Sequence, residues 1–365
     1  MSFNTMNDLS TTSQLVLITG ASGFVGSATA LLFLQKGHSV RLPMRKQEQV
    51  AAWMKGEHAK KYPGKIEAIL LEGGIEKEGV FDEMVKGCSA VVHTASPARF
   101  DFEDAEADIL KPALAGTLSI LESCKKASSV KSVVITSSLA AHTTMEDLQN
   151  PKEGFELTEK SWNNTTWEEA AKMPLEKGHE VYSASKALAE KAAFKYAEQP
   201  GVHFTVSTIA PTVVLGYDPD PSLKTLKDAR SSFGILANML WDKKEFPPSN
   251  GNGFRPELYV SITDAALAHY HAALNPSVSS GHRYLLATKR TTLEHVVRVM
   301  VECEPELKGH LPPVEGGGEG KLRGEYRFEA ERVEKDFGFE YEPFETFVAA
   351  YAKQLVQLAK AGGQL

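Results

Sequence analysis

The 365-residue sequence predicts an α/β fold, built on a doubly wound parallel sheet and completed by a smaller C-terminal lobe. From Gln14 onward, short Val- and Ile-rich segments alternate with longer helical patterns. These segments are apolar almost throughout, which is typical of strands buried on both faces of a parallel sheet. Alternating strands and helices with right-handed crossovers build a doubly wound sheet.

The predicted strands are, in chain order, QLVLITG, HSVRLPM, KIEAILL, CSAVVHTA, KSVVITSS, VHFTVSTIAP and GHRYLLAT. The main helical patterns are SATALLFLQKG, DILKPALAGTLSILESCKKA and VYSASKALAEKAAF, and RVEKDFGFEYEPFETFVAAYAKQL ends the chain with an amphipathic helix. Loops rich in Pro, Asp and Ser begin after Pro211. We therefore expect a nucleotide-binding core over residues 14–211, to which 258–288 returns. Residues 212–257 and 289–365 would form a substrate lobe and the C-terminal helix, and residues 1–13 a flexible N-terminus.

The composition argues against several classes of protein. Hydrophobic residues make up 42% of the chain and charged residues 24%, which is ordinary for a globular protein. The net charge of −7 lacks the basic excess that binds nucleic acid or anionic lipid. No apolar run approaches the roughly 18 residues of a membrane span, and the first residues lack the blocks of a signal peptide. We expect a cytoplasmic protein with no nucleic-acid partner and no membrane association.

No metal site or disulfide framework is predicted. Cys88, Cys124 and Cys303 are far apart and form no C-x-x-C pair, so we expect buried, reduced thiols. His93, at the end of the fourth strand, is predicted to be a structural histidine, and no His, Asp or Glu cluster has ligand spacing.

A glycine-rich turn follows the first strand. In TGASGFVG, Gly20, Gly23 and Gly26 have G-x-x-G-x-x-G spacing directly before a helix. Such glycines allow a tight turn and let the backbone approach a pyrophosphate, while the helix N-terminus offers free N–H groups and the positive end of its dipole. Because strand, turn and helix open the first βαβ unit, the stretch predicts a dinucleotide-binding Rossmann fold.

The end of the second strand predicts which dinucleotide binds. An NAD-preferring site places Asp or Glu there to accept from the ribose 2′-hydroxyl. This chain has Arg45 and Lys46 instead, and a guanidinium suits a doubly charged 2′-phosphate. Arg41 is a weaker candidate. We predict NADP(H) as the cofactor, with a solvated basic loop as the alternative.

A second candidate site lies in the 181–194 segment, where Tyr182 and Lys186 stand one helical turn apart. This spacing alone is common by chance. The fifth strand, however, ends with Ser137 and Ser138 at the carboxyl edge, where open α/β sheets bind ligands. A neighbouring ammonium favours the ionised phenol, and a serine hydroxyl can hydrogen-bond an oxygen that gains charge. Together these residues predict a proton-transfer site.

These motifs resemble the extended branch of the short-chain dehydrogenase/reductase superfamily. TGASGFVG, HTASP (93–97), VVITSS, YSASK and IAPTVVLG (209–216) occur in the family's order and span most of the chain. The basic end of the second strand and SWNNTTW (161–167) are most similar to NADPH-dependent aldehyde and ketone reductases. The resemblance is to the methylglyoxal reductase, dihydroflavonol reductase and cinnamoyl-CoA reductase type.

The resemblance implies a role for each matching residue. Tyr182 would be the general acid, Lys186 its pKa partner and ribose clamp, and Ser138 rather than Ser137 the hydrogen-bond donor to the carbonyl. The segment 94–96 would pass beneath the cofactor, and 211–214 would border the nicotinamide. The expected cofactor contacts are Gly20, Ser22, Gly23, Phe24, Val25, Gly26, Arg45, Lys46, Thr94, Ala95, Ser96, Tyr182, Lys186, Pro211, Thr212, Val213 and Val214.

Two positions depart from the family pattern. Gly73 or Gly74 stands where the family often has an Asp that meets adenine, and Ala115 stands where many members have an Asn that supports a water-linked proton path. Neither contact is therefore carried over to this chain.

The sequence thus predicts an NADPH-dependent carbonyl reductase, in which hydride moves from nicotinamide C4 to a ketone or aldehyde carbon and Tyr182 protonates the oxygen. The alternatives are a nucleotide-sugar epimerase or dehydratase, against which Arg45 and Lys46 count, and a non-catalytic NADP-binding regulator. We expect a monomer or homodimer that takes a small, mostly apolar carbonyl substrate. The expected pocket walls are Phe155, Met173, Tyr217 and Phe233, while Trp162 and Trp167 are either core or wall residues.

Overall fold

The computed structural model describes residues 12–96, 102–248, 255–314 and 320–365. Most of the N-terminus predicted to be flexible, residues 1–11, lies outside the described residues. The strands are β1 (Leu15–Thr19), β2 (Ser39–Met44), β3 (Ile66–Leu70), β4 (Ala90–His93), β5 (Ser132–Thr136), β6 (Glu156–Leu157), β7 (Thr205–Pro211), β8 (Val213–Leu215), β9 (Leu258–Ser261), β10 (Arg283–Leu286), β11 (Lys289–Arg290) and β12 (Arg327–Phe328).

The α-helices are α1 (Phe24–Gln35), α2 (Gln47–Lys55), α3 (Glu57–Lys61), α4 (Lys111–Lys126), α5 (Met145–Gln149), α6 (Trp167–Ala170), α7 (Gly178–Ala197), α8 (Ser231–Leu240), α9 (Ile262–Leu274), α10 (Pro276–Ser279), α11 (Leu293–Cys303), α12 (Arg332–Phe337) and α13 (Phe344–Ala361). Short 3₁₀ turns occupy Leu139–Ala141, Leu175–Lys177, Leu226–Asp228 and Pro305–Leu307, and a π-helical turn occupies Glu106–Leu110.

Seven strands form one parallel sheet in the order β3-β2-β1-β4-β5-β7-β10. From β1 the chain adds strands outward to β3, and from β4 it adds them outward in the opposite direction to β10. The order therefore reverses between β1 and β4, and their carboxyl ends flank the crevice where doubly wound sheets bind ligands. The interior strands are buried over nearly their whole length, as their apolar sequences predicted. The predicted α/β fold with a doubly wound parallel sheet is confirmed.

The remaining strands form smaller sheets. β8, β9 and β11 make a three-stranded sheet, and β6 pairs with β12. The 258–288 segment therefore divides, because β9 belongs to the small sheet whereas β10 pairs with β7 in the large one. Between them α9 packs on β5, where Ser132 Oγ donates to Ala273 O over 2.5 Å. We propose the same division into a core and a C-terminal lobe, with β9 assigned to the lobe.

One hydrophobic cluster joins the sheet to the C-terminal helices. Phe233 of α8 packs edge-on against Phe24 of α1, with ring centroids 5.8 Å apart, and against Tyr351 of α13 at 4.5 Å. All three rings are at most 3% exposed. The helix that opens the nucleotide-binding unit thus shares its core with the lobe.

Two helical segments differ from the sequence prediction. Pro112 has no N–H for the carbonyl four residues earlier, and the chain makes a π-helical turn before α4 begins. The predicted C-terminal helix is two helices, since Gly338 ends α12 in the left-handed region at φ 68° and Pro343 precedes α13.

The expectation of three buried thiols was wrong for Cys303, which ends α11 and is exposed, whereas Cys88 and Cys124 are buried.

Candidate active site

Two glycines of the turn, Gly20 and Gly26, have no room for a side chain. Gly20 has φ 72°, and a Cβ there would lie 2.5 Å from Thr94 Oγ1 and 2.8 Å from the Ala95 nitrogen. A Cβ on Gly26 would lie 2.3 Å from Gly20 O. The turn closes with a 2.9 Å hydrogen bond from Gly23 N to Gly20 O, and α1 begins at the next residue. Glycine at both positions therefore lets the turn pack closely against the end of β4 directly before α1.

The neighbours of these glycines hold the turn in place. Phe24 is buried in the core and offers only backbone atoms to a ligand, whereas Val25 packs against that core and is partly exposed. Ser22 accepts a hydrogen bond through its carbonyl from Arg230 Nη1 at 3.4 Å. Arg230 immediately precedes α8, far along the chain, and sequence analysis missed it because no local motif surrounds it.

The end of β4 packs against the same turn. Thr94 Oγ1 donates to Thr19 O at 2.7 Å, and the Ala95 nitrogen donates to Thr19 Oγ1 at 3.2 Å. Ser96 follows at the carboxyl edge. His93 is buried and bonds Thr19 Oγ1 through Nδ1 at 2.9 Å. Burial, with the nearby Lys186 charge, lowers the His93 pKa to about 3, so this histidine is neutral and structural.

The basic pair at the end of β2 is open to solvent. Arg45 and Lys46 are both exposed, and Lys46 directly precedes α2 without a side-chain capping bond. Arg41 points elsewhere, because its guanidinium pairs with Glu67 at 2.7 Å and donates to the carbonyls of Met84 and Lys86. Of the three cations, only the exposed pair is available to a 2′-phosphate.

Tyr182, Lys186 and Ser138 meet at the carboxyl edge of β5. Lys186 is 8% exposed, and its Nζ donates to Thr136 O at 2.8 Å. The hydroxyls of Tyr182 and Ser138 share a hydrogen bond. Ser138 has extended backbone and also accepts from the Ala140 nitrogen at 3.2 Å. α7 and the end of β5 therefore bring the three predicted residues together.

The pKa values differ from the expected direction. Burial raises the pKa of Tyr182, and the hydrogen bond with Ser138 lowers it only in part. The predicted direction, a phenol pKa lowered by Lys186, was wrong, since the ammonium is turned to the Thr136 carbonyl. Burial lowers the pKa of Lys186 to about 8 although the Glu190 charge raises it. At neutral pH the phenol thus keeps its proton, as a proton donor requires.

The two adjacent serines point to different partners. Ser137 is 5% exposed, and its Oγ donates to Glu190 Oε2 at 2.6 Å. Glu190 also accepts from Thr208 Oγ1 at 2.6 Å and from Arg283 Nε at 2.8 Å. Sequence analysis missed Glu190 and Arg283. The one available signal was that Glu190 follows Lys186 by four residues, on the same helix face.

The 211–214 segment lies at the carboxyl end of β7. The Thr212 nitrogen donates to Leu286 O at 3.0 Å, which continues the pairing with β10. The Thr212 hydroxyl is buried and finds no hydrogen-bond partner among the described residues. This unpaired hydroxyl, and a turn that admits no Cβ at Gly20 or Gly26, fit a polar ligand lying along the carboxyl edge.

The expected pocket walls have different positions. Phe233 is fully buried in the core, so its predicted role as a wall was wrong. Phe155 packs against Tyr326, with centroids 5.6 Å apart, and Tyr217 is 43% exposed. Trp162 lies under the Arg283 guanidinium, whose Cζ is 3.4 Å from the ring centroid. Trp167 and Met173 pack at the edge of a small cluster that includes Phe102, Ile109 and Val181.

The positions that depart from the family pattern are also described. Gly73 has φ 108°, a conformation that side chains rarely adopt, so the glycine suits the loop after β3. Ala115 lies on α4. In the part of the chain that the structure covers, no group of three His, Cys, Asp or Glu side chains could hold a metal ion, and no helix is long and apolar enough to cross a membrane.

The sheet, the glycine turn and the group at the end of β5 define a Rossmann-type α/β protein, and known proteins specify its family. Residues 16–287 match the NAD-dependent epimerase/dehydratase family. Cinnamoyl-CoA reductase CAD2 of Medicago truncatula is 31% identical over 94% of this chain and 95% of its own. Aldehyde reductase 2 of Sporidiobolus salmonicolor is 34% identical over 74% and 76%.

A solved structure agrees with these relatives. The yeast methylglyoxal/isovaleraldehyde reductase Gre2, complexed with NADPH, superposes with a TM-score of 0.81 at 28% identity, over 96% of this chain and all of the other. The chain belongs to the NAD-dependent epimerase/dehydratase family, in the extended branch of the short-chain dehydrogenase/reductases.

Proposed function

We propose that this protein is an NADPH-dependent carbonyl reductase, which reduces an aldehyde or ketone to an alcohol. The observation that carries the proposal is the junction of Tyr182, Ser138 and Lys186 at the carboxyl edge of β5. Its relatives support the class of reaction, since those reported above are named reductases of aldehydes or of a CoA thioester.

The cofactor would lie along the carboxyl edge of the sheet. Its pyrophosphate would meet the bare backbone of the turn at Gly20–Gly26, where the N-terminus of α1 and the Arg230 guanidinium supply positive charge. Arg45 and Lys46 would pair with the 2′-phosphate. The unpaired Thr212 hydroxyl and the segment 94–96 would border the nicotinamide half. When bound, the reduced nicotinamide supplies a hydride to the carbonyl carbon.

The protein's own residues would manage the proton and the charge. The Tyr182 phenol keeps its proton at neutral pH and would donate it to the oxygen that becomes the alcohol. The Ser138 hydroxyl, already bonded to that phenol, would donate to the same oxygen as charge develops. Lys186 uses one N–H on Thr136 O and would direct the other two at the ribose hydroxyls.

The other enzymatic candidate is a nucleotide-sugar epimerase or dehydratase, which the family name includes. Two observations favour reduction. The exposed Arg45 and Lys46 replace the acidic residue that binds an unphosphorylated ribose. The sequence relatives reported above are named reductases, and this chain matches each of them over most of its length. A non-catalytic regulator would have no use for the proton donor and its two partners.

The substrate would be a small, mostly apolar carbonyl compound. Phe155, directly before β6, packs against Tyr326, and Trp167 and Met173 lie on α6 and after it. Phe155, Trp167 and Met173 are only partly buried, and their apolar side chains suit an uncharged aldehyde or ketone.

A spectrophotometric assay tests the proposal. NADPH consumption is followed at 340 nm with a panel of aliphatic aldehydes, diketones and aryl ketones, and NADH is compared at equal concentration. We expect turnover of at least one class with a clear preference for NADPH. Binding of NADPH without reduction of any carbonyl would favour the regulator instead, and equal use of NADH would contradict the assigned cofactor.

A further inference from the structure

We propose that Glu190 is a positioning residue for the reaction, which holds the Thr136–Ser138 segment in place through the Ser137 hydroxyl and so aligns Ser138 and Lys186. The proposal rests on the function proposed above, but no part of that function requires Glu190. Glu190 touches neither Tyr182 nor Ser138, so it would act entirely through its neighbours.

The first step is the geometry around Ser137. Its Oγ donates to Glu190 Oε2 at 2.6 Å, and its nitrogen donates to Ile209 O at 2.7 Å. The residue before it, Thr136, offers the carbonyl that receives Lys186 Nζ, and the residue after it, Ser138, bonds the Tyr182 hydroxyl. A carboxylate anchored on α7 therefore fixes the peptide from which both active-site contacts extend.

The second step is that Glu190 is itself held on several sides. It is 2% exposed, and its Oε1 accepts from Thr208 Oγ1 and Arg283 Nε. Burial acts to raise its pKa, but the Arg283 guanidinium and the Ser137 hydroxyl are among the groups that together hold the pKa below its ordinary value. The side chain is thus an ionised carboxylate in a fixed position. Such a buried pair is costly to desolvate, and a requirement for fixed geometry would explain its presence.

The third step links this pair to the loop beside the pocket. Arg283 Nη1 donates to Glu159 O at 2.8 Å and to Ser161 O at 2.6 Å, and its guanidinium stacks on Trp162. One ion pair thereby connects α7, which carries Tyr182, the segment after β5 that carries Ser138, and the 159–162 segment.

The same carboxylate sets the charge state of Lys186. Among the described residues, the ionisable groups near that ammonium are Tyr182, Glu190, His93 of β4 and, through Thr136, His269 of α9. Both histidines are neutral, with pKa values of about 3 and about 4 because they are buried. Glu190 is therefore the negative charge that favours protonated Lys186. Its removal should lower the pKa of Lys186 further.

Two variants separate positioning from stability. Ser137→Ala deletes only the hydroxyl that links Glu190 to β5 and leaves the Glu190–Arg283 pair intact. Ser132→Ala is the matched control, because it removes a buried serine hydroxyl with a backbone partner at the other end of the same strand. We expect Ser137→Ala to lower kcat about tenfold, since small misplacements are costly. Its NADPH dissociation constant should stay within about threefold, and Ser132→Ala should keep the kcat of the unmodified protein.

The Glu190→Gln variant is tested through the pH dependence of kcat, which a loss of packing alone would not change. We expect the alkaline limb of the kcat–pH profile to move to lower pH by about one unit. NADPH affinity is measured by fluorescence titration without substrate. As the pH is raised, this affinity should begin to weaken at a lower pH in Glu190→Gln than in the unmodified protein. An unchanged pH profile, with only a lower melting temperature, would mean that Glu190 has a structural role alone.

The outcome for Tyr182→Phe keeps this inference distinct from the proposed function. If Tyr182→Phe is inactive while Ser137→Ala matches Ser132→Ala, the positioning role is wrong and the proposed function stands. If Tyr182→Phe retains full activity, both are wrong.

Discussion

At the scale of single residues, two neighbouring serines have separate tasks. Ser138 bonds the Tyr182 hydroxyl, whereas Ser137 bonds Glu190, about two helical turns further along the same helix α7. Ser137 cannot replace Ser138 without giving up a 2.6 Å bond to a buried carboxylate. Loss of the Ser138 hydroxyl should therefore not be compensated by its neighbour.

Arg45 carries the cofactor prediction at this scale. We expect Arg45→Ala to raise the KM for NADPH about tenfold or more, because a hydrogen bond to a charged group contributes about 1.5–3 kcal/mol. The KM for NADH should change little, so the preference for NADPH largely disappears. Steady-state kinetics with both cofactors measure this.

Arg41→Ala is the matched control for Arg45. Both arginines lie on or just after β2, but Arg41 is turned to Glu67 and to two backbone carbonyls. Its removal should lower stability and leave the cofactor preference intact. If Arg41→Ala instead removed the preference, the 2′-phosphate site would be on the other side of the strand.

At the scale of elements, the turn between β1 and α1 requires glycine where the backbone packs most closely, at Gly20 and Gly26. Gly20→Ala should abolish measurable NADPH binding, because the new Cβ would meet the Thr94 side chain and the Ala95 backbone. Gly37→Ala is the control, since Gly37 has a similar positive φ of 85° but open space around it. We expect Gly37→Ala to cost about 1–2 kcal/mol of stability with normal binding.

Calorimetric titration and thermal melting separate the two glycine variants. Normal NADPH affinity in Gly20→Ala would mean that the turn yields and does not shape the site. Equal losses of stability in the two variants would mean that the left-handed backbone, and not the close contact with β4, makes Gly20 necessary.

The helix α7 is the second element that positions the site. Tyr182, Lys186 and Glu190 repeat every four residues along one face, directed at the ends of β5 and β7. The helix is 20 residues long and buried along much of its length. Because all three side chains extend from one fixed helix, their positions relative to one another are also fixed.

At the scale of the whole molecule, the core spans the boundary between the sheet and the lobe. Phe233→Ala should destabilise the protein by about 3–5 kcal/mol, because it opens a cavity between Phe24 and Tyr351. Tyr217→Ala, an aromatic truncation at a largely exposed site, should change stability by less than about 0.5 kcal/mol. Denaturant unfolding measures both. A small loss for Phe233→Ala would show that the two parts unfold independently.

Sequence patterns predicted this fold because its determinants are local. Apolar strands, the glycine turn and the one-turn spacing of Tyr182 and Lys186 all lie within short windows. The Glu190–Arg283 pair joins residues 93 positions apart, and the Arg230 contact spans 208. Burial of Phe233, and its effect on the expected pocket, likewise depend on packing between distant helices. No periodicity encodes such contacts, so they emerged only from the folded chain.

The central claim, that this protein reduces carbonyls with a proton from Tyr182, is tested most directly by one comparison. The unmodified protein and Tyr182→Phe are assayed with NADPH and a reducible aldehyde, and NADPH binding is titrated in parallel. The substitution keeps the ring and removes the transferable proton. We predict nearly unchanged NADPH affinity and a loss of kcat of roughly two to four orders of magnitude. Full activity in Tyr182→Phe would contradict the account.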